Sequence, residues 1–511
     1  VARGNPVVYS DFSGGVNLAA APYLLAENQC QDARNLTVGA TNSLRKRPGN
    51  TLLSEPSTLD SVHSLFPANV TTKVLLAVGK QASASNDRII KIDTGGTATT
   101  LVDSLTQGQR WEWVQAPTSG SQGPIYGVNG VDPPKYLTMA GAIGDWTAST
   151  GTIPTSYKYL LYHADTIWAT GSSSEPGRVR YSGLTGSSVP APDPRDWNAD
   201  HYVDIEPQDG QLITGIGKVA SYILVFKPHN TYAITDPSTG AWRQVNSGIG
   251  CAAHRSIVET QSGTIFLSED AGVCMTDGAD VYKIGENVDP LIRQAAENYP
   301  TALANACGTY RNDSYFLSIP TASSSNDLTL EYHLPTKSWW IHTFASNQFA
   351  LLDPNTTPKL YSAHTTDNKV LRALVPDTYA DENVAYSVYW EGPFWPFGQP
   401  HINKRLTQVR MDGAGIWLLY LATTFEGDYE LIDGIDWEVP DAGTTFGVDG
   451  TFRPSPDDGT DFGPEAGILE RRYPTPGSQG WGRALSLKLT NYDPYSFELY
   501  SLTAFVRERK D

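Results

Sequence analysis

Short apolar runs of strand character recur along the middle of the chain at a near-constant interval, and this interval limits the available folds more than any other feature. The runs begin at Val74 (VLLAV), Pro124 (PIYGV), Thr166 (TIWAT), Tyr222 (YILVF), Thr264 (TIFLS), Ser314 (SYFLS) and Lys359 (KLYSA), spaced by 50, 42, 56, 42, 50 and 45 residues. A four-stranded propeller blade occupies roughly 40–50 residues. A turn rich in Gly, Asn or Asp and a second alternating strand follow each run, as in YILVFKPHNTYAIT from Tyr222, which is the pattern of a β-hairpin. Such a hairpin cannot cover both of its apolar faces alone. Radial packing of successive units covers them and shortens their open edges. The expected fold is all-β, with a β-propeller of about 6–8 blades over residues 60–384; an array of β-sandwiches is the alternative.

Residues 1–59 precede the repeat as an arm that closes or flanks it, and from residue 385 the interval is lost. Strand alternation in 384–389, 406–421, 484–490 and 497–506 predicts a C-terminal β-sandwich over 385–511. Within it, residues 426–470 hold 13 acids and one base, Arg453, a net charge of −12 out of −18 for the whole chain. This Gly- and Pro-rich run reads as a solvated acidic loop. Helix signals are few: an N-cap Asp289 before Pro290 opens one that Pro300 ends, and residues 26–35 offer another.

A charge of −18 repels phosphates and disfavours tight nucleic-acid binding. No run approaches the roughly 20 apolar residues of a membrane helix, and the opening VARGNPVVYS has no signal-peptide core, so a soluble chain made in a cytoplasm is expected. Cys30, Cys251, Cys274 and Cys307 lack C-x-x-C spacing and read as buried free thiols. Nucleophile-elbow, P-loop, dinucleotide and zincin patterns are absent, which predicts no catalytic centre and no cofactor. His63, His254 and His342 lie beside apolar strands and read as structural histidines rather than metal ligands. Residues 457–461 (DDGTD) offer oxygens to calcium but lack the closing glutamate of an EF-hand, so a solvated turn is the better reading. The segment 236–242 (DPSTGAW) differs from a sialidase-type Asp box in its Asp-to-Gly spacing and reads as a hairpin turn with a packed tryptophan; 334–340 (LPTKSWW) reads as a turn followed by core aromatics. Trp390, Phe394, Trp395 and Phe397 form an aromatic cluster that either packs internally at a domain junction or presents rings to a sugar or a neighbouring subunit.

The most distinctive stretch is Asp11-Phe12-Ser13-Gly14-Gly15-Val16-Asn17, followed by Asn28-Gln29, Ala33-Arg34-Asn35 and Arg47-Pro48-Gly49. It resembles the opening of many bacteriophage tail proteins, in which F-x-G-G-x-N, N-Q-x-x-x-A-x-N and R-P-G precede a β-propeller. Among these are the tail nozzle, or tail tubular protein B, class of short-tailed phages and minor tail proteins of long-tailed phages. On the residues themselves, Gly14 and Gly15 allow backbone conformations closed to other residues, and Arg47, Pro48 and Gly49 make a fixed turn. With Phe12, Asn17, Asn28 and Asn35 they are expected to be structural. The resemblance implies a virion tail component, made in the host bacterium, that forms a homo-oligomeric and most simply six-fold ring around the DNA exit path. It also implies neighbours such as an adaptor and fibres, and DNA that passes without specific binding. Asp433, Asp436, Asp457, Asp458 and Asp461 are then candidates to line the lumen or an outer surface. A tail-tip protein of a long-tailed phage is one alternative, and a carbohydrate-binding or carbohydrate-active propeller is the other.

Overall fold

The structure is a computed structural model that describes residues 6–117, 123–153, 155–183, 194–236, 239–352, 357–395, 402–414, 417–422, 430–435, 444–446, 452–454, 467–472, 481–482, 484–492 and 494–508. Two compact units emerge. One comprises residues 51–331 and 343–373, the other residues 1–50, 332–342 and 374–511.

In the first unit, the recurring apolar runs are the second strands of sheets that follow one another along the chain. Leu59–Ala68, Val74–Gln81, Asn86–Asp93 and Ala98–Thr106 form sheet one. Sheet two is Glu112–Gln115, Ile125–Val128, Lys135–Leu137 and Ile143–Asp145. Tyr159–His163, Thr166–Thr170, Arg178–Tyr181 and Tyr202–Asp204 make sheet three, and Gly215–Val219, Tyr222–Phe226, Asn230–Asp236 and Ala241–Ser247 make sheet four. Sheet five holds Val258–Thr260, Gly263–Ser268, Gly272–Thr276 and Val281–Lys283. Cys307–Arg311, Ser314–Ile319 and Leu328–His333 belong to sheet six. Sheet seven is Phe349–Leu352, Lys359–Ala363 and Val370–Val375, with Gly49–Ser54 from the other end of the sequence as its fourth strand.

The apolar runs are continuous, not alternating, because these strands are covered on both faces: every residue of Thr166–Thr170, Gly263–Ser268 and Ser314–Ile319 is buried. Cores form between consecutive sheets. Leu76, Val78 and Ile89 of sheet one meet Trp113, Ile125 and Leu137 of sheet two. Tyr126 and Val128 meet Leu160 and Ile167, and Trp168 and Val179 meet Ile216 and Val225. Leu224 and Phe226 meet Phe266 and Cys274, and Ala350 and Tyr361 of sheet seven meet Leu65 and Ile90 of sheet one. The first strand of each sheet lies beside that of the next, and Phe349–Leu352 lies beside Leu59–Ala68.

Among the described residues, the second unit contains, beside the two-stranded ladders Ala380–Asp381 with Val384–Ala385 and Thr444–Phe446 with Phe452–Pro454, two larger sheets. One runs Gly467–Arg472, Lys404–Ala414, Glu498–Glu508, Leu44–Lys46, Leu36–Val38, with Val7–Tyr9 also paired to Glu498–Glu508. The other includes Ser338–His342, Asp32–Arg34, Val388–Glu391, Ser486–Asn491, Trp417–Ala422 and Glu430–Ile435 in that order. Tyr9 from the first sheet stacks edge-on against Trp390 of the second at 5.0 Å between ring centroids.

All-β is the observed class; among the described residues, helix beyond two 3-10 turns is confined to Asp289–Asn298 and Pro300–Leu303. The helix expected over 26–35 is instead the strands Gln29–Cys30 and Asp32–Arg34, because both pair with other segments. Asp289 lies inside its helix rather than capping it, and its carboxylate accepts from Lys283. Pro300 opens a further short helix instead of simply ending the first. No helix among the described residues is long and apolar enough to cross a membrane.

Candidate functional site

The N-terminal motif of residues 11–17, 28–35 and 47–49 is built into the second unit. Phe12 is buried against Tyr9 and Trp390, at 4.8 and 5.8 Å between centroids. Gly15 has φ +62°, and a Cβ there would meet the Trp339 carbonyl at 2.6 Å, so only glycine fits without strain. The backbone N–H of Gly14 donates to the Asn28 carbonyl at 3.1 Å, and the Asn28 amide donates to Ser13 Oγ at 3.3 Å. Asn17 folds the next turn, its Oδ1 accepting from the N–H groups of Ala19 and Ala20 at 3.1 Å. Asn35 is buried with φ +59°, a conformation that asparagine tolerates better than most residues, and donates to the Ser387 carbonyl at 2.7 Å.

Arg47 joins these segments. Its guanidinium grips Asp381 through two hydrogen bonds of 3.1 and 2.5 Å, donates to Asn35 Oδ1 at 2.9 Å and to the Pro48 carbonyl at 2.9 Å, and stacks 3.9 Å from the Tyr386 ring. A Cβ on Gly49 would stand 2.0 Å from the Ala380 carbonyl, so the chain leaves the clasp at a point with no room for a side chain. Phe12, Gly15, Asn35, Arg47 and Gly49 are thus each held by packing, close approach or hydrogen bonds within the second unit.

The first unit holds a different constellation. Two cavities of about 330 and 200 Å³ share Glu112, His254 and Arg255 in their walls. Arg255 ties separate sheets together: it pairs with Glu112 at 2.5 Å and donates to the His63 carbonyl at 3.1 Å, Ser64 Oγ at 3.2 Å and the Trp111 carbonyl at 3.0 Å. His254 Nδ1 accepts from the Ile216 N–H at 3.4 Å, which leaves Nε2 as the protonated nitrogen facing Glu112, 3.9 Å away. Burial holds His254 below the ordinary imidazole value, so its contact with Glu112 is between a neutral ring and a carboxylate. His63 is lowered by burial too, although its 2.8 Å contact with the buried Asp87 opposes the shift. The acids lining the larger cavity, Glu112 and Glu259, are each held by a cation, the second by Lys218 at 3.3 Å.

No family model matches this chain, and no curated protein matches it. A solved structure of the computationally designed Ika8 protein aligns with 64% of this chain and 100% of its own at 9% identity, with a TM-score of 0.37.

The remaining residues singled out in the sequence divide as follows. Trp390, Phe394 and Trp395 are buried, so these rings pack internally; Phe397 lies outside the described residues. Asp433 falls on the strand Glu430–Ile435, opposite Leu419, while Asp436, Asp457, Asp458 and Asp461 lie outside the described residues. All four cysteines are buried and free, and burial pushes the thiols of Cys251, Cys274 and Cys307 up to about 12. Thr239 Oγ1 donates to Asp236 at 2.8 Å in the hairpin turn that precedes Trp242, and Trp339 and Trp340 are buried after their own turn. Arg110, Glu112 and Arg255 were not legible as a group, since they come from 110–112 and 255 and carry no common motif.

Proposed function

We propose that this chain is a structural, non-enzymatic subunit of a bacteriophage tail, of the nozzle type, and that it forms a homo-oligomeric ring in the conduit through which DNA leaves the particle. In this reading the seven sheets are the blades of a β-propeller, and the two larger sheets of the other unit are a β-sandwich that holds the N-terminal arm. One observation carries the proposal: the residues shared with tail-protein openings act together as a clasp. Phe12, Gly15, Asn35, Arg47 and Gly49 are each fixed by burial or by partners in 339–390, so the residues that carry the resemblance form one connected set in this chain. A net charge of −18 supports the conduit role, because a like-charged wall does not retain the passing duplex. One patch on each side of a subunit suffices to close a ring by rotation.

Native mass spectrometry and electron microscopy of the purified chain and of tails carrying it test the reading. The expected result is a closed cyclic assembly, six-fold as in the resembling family. A chain that stays monomeric both in solution and in assembled particles would sink the ring, and turnover of a host-surface polysaccharide would sink the non-enzymatic assignment.

A further inference from the structure

The smaller cavity of the first unit is cationic inside an acidic chain. Its wall includes Arg110, Lys158, Tyr159, Arg255 and Asn305. Arg255 is neutralised by Glu112 at 2.5 Å. Arg110 makes no ion pair among the described residues: its guanidinium makes two long hydrogen bonds, to the carbonyls of Asn305 at 3.4 Å and Asn347 at 3.3 Å, and Glu112 acts on it only at longer range. Lys158 has no ion pair or side-chain hydrogen bond, and the Tyr159 hydroxyl donates to no group among the described residues. Two positive charges are therefore unmatched around one cavity. A guanidinium half-withdrawn from water without a counter-ion costs free energy that natural sequences normally avoid. Burial, and then the like charge of Arg255, pull Arg110 down to about 9, with Cys307 and Glu112 opposing the shift.

We infer that this cavity binds a small dianionic oxyanion of the phosphate class, gripped by the Arg110 fork and the Lys158 ammonium, with the Tyr159 hydroxyl as a further donor. Charge decides the class. Two free cations match a dianion, and the planar guanidinium offers paired N–H groups to two oxygens of a tetrahedral anion. Size decides the scale: a cavity of about 200 Å³ admits phosphate or a small phosphomonoester and does not admit a nucleic-acid strand. The site is independent of the tail reading, since it uses none of the clasp residues.

Titration calorimetry of the full chain with inorganic phosphate, at ionic strength held constant with sodium chloride, tests this. Saturable binding is expected, with sulfate competing and acetate failing to compete. Lys158→Met, at an exposed position, should weaken phosphate binding by about tenfold or more, the loss of one charge-assisted contact. Arg110→Lys, which keeps the charge but not the fork, should weaken it as well. Amide exchange over residues 109–115 and 252–260 should slow on adding phosphate to the unaltered chain. No saturable binding, equal binding by Lys158→Met and Arg110→Lys, competition by acetate as strong as by sulfate, or displacement by a short oligonucleotide at lower concentration than phosphate would each overturn the inference.

Discussion

Arg47 sits 1% exposed in its side chain, and its charge is matched by an aspartate 334 residues further along the chain. Its neighbours in sequence announce a turn, and nothing in them announces Asp381. Long-range pairing of this kind leaves no local periodicity, which is why the clasp was legible as motif letters but not as a mechanism. Arg47→Ala removes a buried guanidinium and its charge-assisted hydrogen bonds while Asp381, 28% exposed, can be rehydrated, so it should destabilise the second unit by about 2–3 kcal/mol, read as a lower denaturation midpoint, with Arg47→Lys intermediate because it retains charge but loses the fork. The histidines give a pH test. Burial lowers His63 and His254, Arg110 and Arg255 add to the effect at His63, and Arg255 adds to it at His254, while Asp87 and Glu112 respectively oppose it. Near pH 6.5 the unfolded chain takes up protons that the native rings refuse, so the unfolded state binds more protons and stability falls as pH drops below about 6.5. The slope is at most about 1.4 kcal/mol per pH unit for each ring. Denaturant unfolding between about pH 7 and 5 should show this decline, and the double variant His63→Gln/His254→Gln should flatten it; an unchanged slope would mean that these rings titrate alike in both states.

At the scale of elements, the strands that could be read directly were those buried on both faces. Val74–Val78, Thr166–Thr170 and Ser314–Ile319 are buried without interruption because sheets cover them from both sides, and their residues are mostly apolar. Outer strands stayed hidden: Ala98–Thr106 and Ala241–Ser247 are largely exposed, so their side chains follow solvent and not a core. Residues 26–35 failed for another reason. Their composition, poor in β-branched side chains, favours a helix locally, and pairing of Gln29–Cys30 with Gly15–Val16 and of Asp32–Arg34 with Val388–Glu391 overrides that preference. The same burial contrast predicts amide exchange. Second strands of the sheets should exchange only with opening of their whole unit, whereas Ala98–Thr106 and Ala241–Ser247 should exchange by local fraying, at rates higher by orders of magnitude. Equal protection across a sheet, measured by hydrogen-exchange mass spectrometry, would contradict the assignment of core and rim.

Across the whole molecule, charge is distributed unevenly. Residues 426–470 carry −12 of the chain's −18, while the first unit encloses a cavity whose free charges are positive. No packing argument requires thirteen acids in 45 residues, since repulsion among them opposes compaction. In the proposed tail reading, this concentration of negative charge keeps departing DNA from adhering. Replacing Asp433, Asp436, Asp457, Asp458 and Asp461 by lysine changes the chain's charge by ten units, from −18 to −8. Particles assembled with the lysine variant should eject DNA more slowly, and the delay should shrink as salt rises, because phosphate contacts are released in proportion to the counterions they displace. Ejection followed by dye uptake at two salt concentrations checks both parts. Unchanged kinetics in normally assembled tails would place the acidic segment away from the DNA path, and a delay insensitive to salt would assign the effect to altered assembly rather than to charge.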